Sequence, residues 1–569
     1  MAKFASFGVL AAAATLAQAT SLAEMCTDAK AKAAVPSTGL LPGIVTSDVD
    51  VTANPVYNET VSDEDYYPDA TFSFCNVTMS YSHNGKDDKV LLNFWLPSPE
   101  KFSNRWVSTG GFGFAINAES NLPGGVIYGA ATGRTDGGFG GFDVEFDGVF
   151  PLANGTSNLE ALYMFGYQAH SEMSSIGKAF TKNFFGLGDS KLYSYYQGCS
   201  EGGREGFSQV QRFPDEWDGA VIGAPAIRYG QQQVNHLFPQ VVEKTLDYAP
   251  PYCELEKIVN LTISACDPLD GKADGVVGRS DLCKLHFEFN STIGEEYYCA
   301  SSGSTPAQSG SVTKAGAKLA DTIYNGLLDS EGRRAYFWYQ YGAEMEDAET
   351  EYSSSTGEWE IDISSLGGEW VTRCLQLLEL DNISTLEGVS YDTLRDWMLE
   401  GLQRYEDVLQ TTWPDLSRFE ATGGKIISYH GEQDPSIPTA SSVRFHESVR
   451  STLYGNESFA KSTASLNEWY RLFLVPGAAH CATNPLQPNG PFPQTSLGSL
   501  IEWVEKDDMP VTLNATVLAG EHKGEQQQLC AWPLRPLWKN NGTTMSCVFN
   551  QESYDTWIYD LDAYDIPVY

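Results

Sequence analysis

The first half of the chain alternates between short apolar runs and stretches with helical spacing. Runs long enough for buried strands lie at 89–96, 105–109, 192–197 and 218–222. Apolar residues recur at helical spacing at 162–182 and 203–212. Strands and helices that alternate in this way indicate a parallel sheet covered by helices. The pattern therefore predicts an α/β fold.

The alternation stops between residues 227 and 424. Aromatic, acidic and Ser/Gly-rich pieces replace it, including the low-complexity stretch 301–311. Strand-like runs return at 425–430 and 470–475, and a late helix begins near Ser499. We therefore predict one α/β domain in two parts, with a large inserted lid between them. The predicted boundaries are 20–226 and 425–569 for the α/β domain and 227–424 for the lid.

The amino terminus predicts export. Lys3 precedes an apolar run at 4–16, and the small residues Ala17 and Ala19 directly precede a cleavage site, which is typical of a signal peptide at 1–19. The run is shorter than the roughly 20 residues needed to span a bilayer. An exported, extracellular chain fits its nine Asn-x-Ser/Thr sequons, which we expect to be glycosylated on exposed loops or element ends. They are Asn58, Asn76, Asn154, Asn260, Asn290, Asn382, Asn456, Asn514 and Asn541.

The composition and net charge of the chain exclude some classes of binding partner. The chain has 569 residues, 42% of them hydrophobic and 19% charged, which describes a folded globular protein. Its formal net charge of −38 repels phosphate backbones and anionic lipid surfaces. We therefore expect neither nucleic acid nor membrane partners. The oligomeric state is left open, as a monomer or a homo-oligomer.

Eleven cysteines in an oxidising compartment predict five disulfides and one free thiol. Short loops close readily, which favours Cys266 with Cys283 and Cys530 with Cys547. Cys374 lies in a helix-like apolar stretch and is the predicted free thiol. Spacing does not fix the pairing of the remaining bonded cysteines, which are Cys26, Cys75, Cys199, Cys253, Cys299 and Cys481.

The segment 198–202 reads Gly-Cys-Ser-Glu-Gly and lies between a predicted strand and a predicted helix. Gly-x-Ser-x-Gly in that context is the nucleophile elbow, a strained turn that exposes the hydroxyl of Ser200. The alternative is an ordinary helix-capping serine. A serine hydroxyl attacks a carbonyl only when an imidazole removes its proton, so the motif predicts acyl transfer.

The acid and base should follow the nucleophile in the order Ser, acid, His. Asp434 follows the strand at 425–430, with Glu432 as its nearest rival. His480 follows the strand at 470–475, whereas His430 as base would reverse the expected order and is better suited to structural hydrogen bonding. A disulfide between Cys199 and Cys481 would tether the nucleophile to the base.

The remaining parts of the predicted site follow from the chemistry. An oxyanion needs two donors, for which we expect the N–H groups of Glu201 and Gly111, with Gly110 as the alternative to Gly111. The candidate residues for an acyl pocket are Phe112, Glu369, Trp370 and Arg373.

The segment 266–276 places three carboxylates among glycines, a pattern that suits calcium. Asp267, Asp270 and Asp274 would bind by side chain, and Lys272 and Val276 by backbone carbonyl. The alternative is an acidic, solvated turn. We expect a structural calcium ion in the lid and no organic cofactor.

These motifs together resemble the secreted fungal tannase and feruloyl esterase family, and its tannases most closely. The likeness covers nearly the whole mature chain and is concentrated at 198–206, 267–276, 430–438, 476–481 and 566–569. It implies an α/β-hydrolase fold, a triad of Ser200, Asp434 and His480, a disulfide joining the nucleophile and base segments, and calcium in the lid.

The resemblance also implies a substrate class, a polyphenol ester. A tannase-like chain would hydrolyse galloyl esters and depsides of tannins to release gallic acid. The first alternative is a feruloyl esterase that releases hydroxycinnamic acids from plant cell walls. The second is a non-catalytic carbohydrate- or polyphenol-binding glycoprotein on a disabled hydrolase scaffold.

Overall fold

The computed structural model describes residues 21–46 and 50–569, so the predicted signal peptide at 1–19 lies outside the described residues. Its centre is a ten-stranded mixed sheet with the order β1-β3-β4-β6-β5-β7-β8-β9-β10, and β2 pairs with β3 as well. The strands are β1 (Ile44–Val45), β2 (Thr52–Val61), β3 (Ala70–His83), β4 (Val90–Pro97), β5 (Arg105–Thr109), β6 (Ala130–Thr135), β7 (Tyr193–Cys199), β8 (Gly219–Gly223), β9 (Lys425–Gly431) and β10 (Tyr470–Val475).

Six neighbouring strands run parallel, in the order β6, β5, β7, β8, β9 and β10. The strands β1, β2, β3 and β4 pair antiparallel, and β4 also pairs antiparallel with β6. Side chains alternate between the two faces of a strand. Tyr195 therefore packs toward the helix Ser496–Lys506, and its neighbour Tyr196 packs toward the helix Glu201–Arg212 on the opposite face. Helices on both faces confirm the predicted α/β class.

Further helices complete the layers around the sheet. These are Leu22–Met25, Asp28–Ala34, Pro123–Val126, Phe146–Val149, Leu159–Tyr163, Ala169–Phe185, Ala440–Tyr454, Phe459–Asn467 and Gln551–Asp555, with a π-helical segment at Met164–Gln168. The predicted helix at 162–182 is thus two α-helices joined by a π-helical turn.

The segment 224–424 connects two strands that are hydrogen-bonded neighbours, since Gly219 of β8 pairs with Lys425 of β9. This connection contains the region predicted as the lid. The subdivision of the chain into domains stays a prediction. The elements of the connection are the helices Tyr229–Asn235, Phe238–Leu246, Tyr252–Cys266, Ser280–His286, Lys314–Asn325, Ser365–Glu369, Tyr391–Tyr405 and Ser417–Ala421, the π-helical Trp370–Leu375, and the strand pairs Glu296–Cys299 with Gln308–Ser311 and Thr350–Ser353 with Glu358–Ile361.

The carboxyl-terminal part of the chain adds small β structures. A three-stranded sheet contains Pro491–Phe492, Thr512–Val517 and Gln526–Cys530, and a hairpin contains Arg535–Lys539 and Thr544–Val548. The antiparallel strands β2 and β3 were not predicted. β2 carries many exposed positions, so its sequence lacks the apolar run that marked the other strands.

Candidate active site

Ser200 occupies the sharp turn between β7 and the helix Glu201–Arg212. Its backbone has φ 64° and ψ −125°, which a residue with a side chain rarely adopts. The surrounding glycines make the turn possible, because a Cβ on Gly198 would lie 2.6 Å from the Gly202 carbonyl oxygen. A Cβ on Gly203 would lie 2.5 Å from the carbonyl oxygen of Gly223. The strained turn holds the serine at the carboxyl end of the sheet.

The structure brings Ser200, His480 and Asp434 into one hydrogen-bonded chain. The hydroxyl of Ser200 lies 2.9 Å from Nε2 of His480. The other ring nitrogen, Nδ1, lies 2.8 Å from Oδ2 of Asp434. Asp434 follows β9 and His480 follows β10, so neighbouring strand ends deliver both partners. This is the geometry that a serine nucleophile, a base and an orienting acid require.

Asp434 is fully buried and accepts hydrogen bonds on both oxygens. Its Oδ1 accepts the backbone N–H groups of Ser436 at 2.9 Å and Ile437 at 2.8 Å. Burial alone would raise the pKa of Asp434, but the charge of His480 and hydrogen bonds from His430 and His480 hold it well below its usual range. The carboxylate therefore stays charged beside the imidazole.

The two alternative partners have other positions. His430 is buried, with Nε2 3.0 Å from Oδ2 of Asp434 and Nδ1 2.8 Å from the hydroxyl of Ser442. It therefore supports the acid, as its structural interpretation predicted. Glu432 forms an ion pair with Arg535 at 2.6 Å and accepts a hydrogen bond from Ser280. It makes no hydrogen bond to His480.

Cys199 and Cys481 form a disulfide with a Cα–Cα distance of 6.1 Å, so a covalent bridge joins the residues beside the nucleophile and the base. The two predicted short-loop pairs, Cys266–Cys283 and Cys530–Cys547, are also formed. The structure supplies the remaining connectivity, Cys26–Cys75 and Cys253–Cys299. Cys374 is buried and free, as expected.

The two predicted oxyanion donors differ in whether their N–H groups already have a hydrogen-bond partner. The N–H of Glu201 is at the start of its helix and has no partner among residues 21–46 and 50–569. The N–H of Gly111 instead donates to the buried carboxylate of Glu205 at 3.0 Å. Gly111 is therefore not free to bind an oxyanion, and its assignment was wrong. Gly113 lines the cavity with Ser200.

A cavity of about 310 Å³ opens at Ser200. It is lined by Tyr66, Phe112, Gly113, Cys199, Ser200, Glu201, Ala226, Tyr229, Gln232, Gln233, His236, Leu366, Ser436, Ile437, His480 and Cys481. Phe112 is the one member of the predicted acyl pocket in this lining. The other three predicted members, Glu369, Trp370 and Arg373, are not among the lining residues. Trp370 is buried, and Arg373 pairs with Glu369 at 3.0 Å.

Sequence reasoning missed the lid residues of this cavity. No motif in the sequence marks His236, yet it lines the cavity, and its Nδ1 lies 2.7 Å from Oδ2 of Asp347. Burial lowers the pKa of His236, but the charge and hydrogen bond of Asp347 outweigh it and raise the pKa overall. The available signal was the pair of polar residues Gln233 and His236, three apart in a helical stretch.

The predicted calcium segment is a tight acidic turn. Oδ1 of Asp267 accepts the N–H of Asp274 at 2.9 Å, and the Lys272 ammonium lies 3.0 Å from Oδ2 of Asp274. Burial, together with the charges of Asp274 and Asp267, raises the pKa of Asp270 to about 7. Within the described ranges, no three His, Cys, Asp or Glu side chains converge on one metal position. The turn supplies negative charge, but it does not show a three-carboxylate ligand set.

None of the nine sequon asparagines is buried, but four lie within strands or an α-helix. Asn58 and Asn76 lie within β2 and β3, Asn260 lies within a helix and Asn514 within a strand. The expectation of loops or element ends was therefore wrong for these positions. In Asn382, the Nδ2 that would carry a glycan donates to the carbonyl oxygen of Ile363 at 2.9 Å. Across the described chain, no helix has the length and apolar character that crossing a bilayer requires.

Residues 75–553 match the family described as tannase and feruloyl esterase. The chain belongs to the tannase and feruloyl esterase family. It is 50% identical to a tannase of Aspergillus oryzae over 98% of this chain and 99% of that protein. It is 30% identical to a probable feruloyl esterase of Arthroderma benhamiae over 84% and 86% of the two chains.

Solved structures of the family have the same architecture. The tannin acyl hydrolase from Aspergillus niger superposes with a TM-score of 0.95 and 58% identity, covering 97% of this chain and all of that one. Feruloyl esterase B from Aspergillus oryzae superposes with a TM-score of 0.70 and 25% identity, covering 92% and 99%. The α/β-hydrolase fold expected from the resemblance to this esterase family is therefore confirmed.

Proposed function

We propose that this member of the family is a secreted serine esterase that hydrolyses galloyl ester and depside bonds of tannins and releases gallic acid. The observation that carries the reaction type is the hydrogen-bonded chain of Ser200, His480 and Asp434 at the mouth of a cavity. The substrate class is supported by relatives named tannase and tannin acyl hydrolase, at 50% and 58% identity.

Acylation begins when Ser200 attacks the ester carbonyl while Nε2 of His480 removes its proton. The charged Asp434 stabilises the imidazolium that forms and fixes the tautomer through Nδ1. The N–H of Glu201 donates to the developing oxyanion. His480 then gives its proton to the leaving alcohol or phenol, which leaves a galloyl ester on Ser200.

Deacylation uses the same groups, with water in place of Ser200 as the nucleophile. A water molecule loses its proton to His480, attacks the acyl carbonyl and expels Ser200, which recovers its proton. The products are gallic acid and the free enzyme. The disulfide between Cys199 and Cys481 ties the nucleophile segment to the base segment through both steps.

The test is turnover of methyl gallate and methyl ferulate by the purified protein and by its Ser200→Ala variant. We expect a preference for methyl gallate, and a loss of kcat of about 10⁵-fold or more in the variant, because its nucleophile is gone. Gallate hydrolysis that survives the substitution would contradict the mechanism. Preference for ferulate would replace the substrate class, and no turnover of either ester would favour a binding protein.

Calcium binding at 267–276 is a second proposal, supported by the buried, mutually repelling carboxylates of Asp270 and Asp274. Because the turn does not touch Ser200, chelation should lower the melting temperature without abolishing turnover by folded protein. Metal analysis and thermal unfolding with EDTA, repeated for Asp270→Asn, measure this. A melting temperature that EDTA leaves unchanged would favour a metal-free turn.

Export and glycosylation are proposed together. The five disulfides support an oxidising compartment, and the exposed sequons support surface glycans. Mass spectrometry of protein from culture medium tests both, with Asn382 expected to carry less glycan than Asn154.

A further inference from the structure

A second cavity, of about 540 Å³, lies beside β2, and we call it the β2 cavity. Its wall is formed by residues of β2 and β3 and by the segments 97–105 and 126–129. Its volume is within the range of about 300–1,000 Å³ that small-molecule sites have in proteins. Among the described residues, none lines both this cavity and the one at Ser200. The reaction proposed above therefore does not use it.

Asn58 lies in the wall of the β2 cavity, at a β-bulge. The pairing of β2 with β3 shifts register between Val56 and Glu59, so two residues of β2 face one residue of β3, Ser73. The φ of Asn58 is 53°, a left-handed conformation that asparagine tolerates better than most residues. Its backbone N–H donates to Oγ of Ser73 at 3.1 Å. The bulge explains how a sequon within a strand is exposed at a cavity.

The carboxamide of Asn58 is available for glycosylation. It is exposed and makes no hydrogen bond to any residue that the structure describes, whereas the Nδ2 of Asn382 donates to a carbonyl oxygen. The sequon is completed by Thr60, whose hydroxyl lies 3.0 Å from that of Thr71 on the exposed face. A glycan on Nδ2 of Asn58 would begin at the wall of the β2 cavity.

The rest of the wall combines aromatic faces with polar groups. Phe72 and Tyr128 are half-buried, and the ring of Phe72 is held by Phe74, with 5.7 Å between the ring centroids. Lys101 and Ser103 are exposed and add an ammonium and a hydroxyl group. A pyranose has a face of C–H groups, which packs against a flat ring, and a rim of hydroxyls, which bind polar groups. The wall therefore suits a sugar.

We propose that the two N-acetylglucosamines at the base of a glycan on Asn58 occupy the β2 cavity and shield the edge of β2. This inference rests on the glycosylation proposed above and assigns the cavity to one of the nine sequons. Among the described strands, β2 pairs with β3 alone, so its other edge presents unpaired backbone groups. Such an edge can pair with another chain, and a bulky group beside it blocks that pairing.

The first experiment measures how fast endoglycosidase H trims each site of folded protein secreted by a yeast host. The enzyme cuts between the two N-acetylglucosamines of a high-mannose glycan, so a seated core resists it. Asn541 is the matched reference, because it is an exposed sequon asparagine with φ 55° that does not line the β2 cavity. By glycopeptide mass spectrometry, we expect trimming at Asn58 to be about 10-fold slower than at Asn541, which corresponds to about 1.4 kcal/mol of protection. After denaturation the two rates should be equal.

Phe72→Leu tests whether the aromatic wall holds the glycan. Leucine keeps an apolar side chain in the strand but has no flat ring. Trimming at Asn58 should become as fast as at Asn541, while kcat for methyl gallate stays unchanged. Tyr57→Leu is the matched control, since Tyr57 is an exposed aromatic residue of the same bulge outside the cavity lining. Unchanged protection in Phe72→Leu, or an equal loss of protection in Tyr57→Leu, would overturn the proposal.

The second experiment tests the shielding of β2. Thr60→Ala removes the sequon of Asn58, and Thr60→Ser keeps it. Thr543→Ala removes the sequon of Asn541, and the two threonine hydroxyls each make one exposed hydrogen bond, so the losses are matched. By light scattering during heating, we expect Thr60→Ala to aggregate about twofold faster than Thr60→Ser or Thr543→Ala. Equal rates in the three variants would reject the shielding role.

The outcomes separate this inference from the proposal on which it rests. Protein with no glycan at any sequon would reject the proposed glycosylation and the inference with it. Glycans on other sequons but none on Asn58 would reject the inference alone. Equal trimming of Asn58 and Asn541 in folded protein would show that the glycan lies in solvent, and surface glycosylation would stand without a seat in the β2 cavity.

Discussion

Single residues in this molecule show how burial and partners decide the state of a carboxylate. Asp434 is buried but surrounded by donors, including two imidazoles on one oxygen, so it stays charged. Glu243 in the helix Phe238–Leu246 is equally buried, and both of its oxygens lack partners among the described residues. Burial raises the pKa of Glu243 to about 9. Asp434 is therefore a charged carboxylate, whereas Glu243 keeps its proton.

Glu243 predicts a pH dependence of stability. Its folded-state pKa lies above its unfolded value of about 4.3, so the folded state holds a proton that the unfolded state loses in that window. Stability from this group is therefore full below about pH 4 and declines as the pH rises toward 9. Glu243→Gln should remove about 4 kcal/mol of the loss between pH 5 and pH 8.

Urea unfolding at both pH values measures this effect, with the exposed Glu387→Gln as control. The control should keep the wild-type slope. A Glu243→Gln protein with the same slope as wild type would show that the carboxyl is ionised in the folded state.

At the scale of elements, the site depends on three strand ends held in register. Ser200, Asp434 and His480 follow β7, β9 and β10, and the disulfide joins the first of these ends to the last. Displacing a reacting group by about 1 Å can cost about 100-fold in rate. The bridge is therefore expected to influence rate as well as stability.

The double variant Cys199→Ser with Cys481→Ser tests this expectation. We expect kcat to fall by about 10- to 100-fold while circular dichroism still shows the native fold. The matched control, Cys530→Ser with Cys547→Ser, removes a bridge away from the cavity and should lower the melting temperature but keep kcat. Equal kcat in both double variants would make the active-site bridge a stabilising crosslink only.

These elements also show what the sequence could predict. Ser200, Asp434 and His480 could be predicted together from the sequence because each follows an apolar strand. The carboxyl ends of parallel strands meet at one edge of the sheet. Gly111 was misassigned because its N–H is taken by Glu205, whose carboxylate reaches back from the next helix. His236 was missed because its partner Asp347 lies 111 residues away in the lid. Local patterns do not contain such long-range pairings.

At the scale of the whole molecule, the large connection between β8 and β9 adds its own residues to the cavity at Ser200. The strand ends position Ser200 and His480, and the first helix of the connection and the residue after it supply Gln233 and His236. The cavity therefore forms where the two meet. Changes in the connection can alter substrate recognition while the strand ends keep the chemistry.

The distance along the chain between Cys199 and Cys481, 282 residues, has a consequence for biosynthesis. Chains emerge amino terminus first, so five other cysteines leave the ribosome after Cys199 and before its proper partner. Any early bond that Cys199 makes with one of them must be reversed by thiol exchange. The growing polypeptide also lacks its base until residue 480 has been made. We therefore expect the yield of active protein to fall when disulfide isomerase is depleted, because thiol exchange corrects such early bonds.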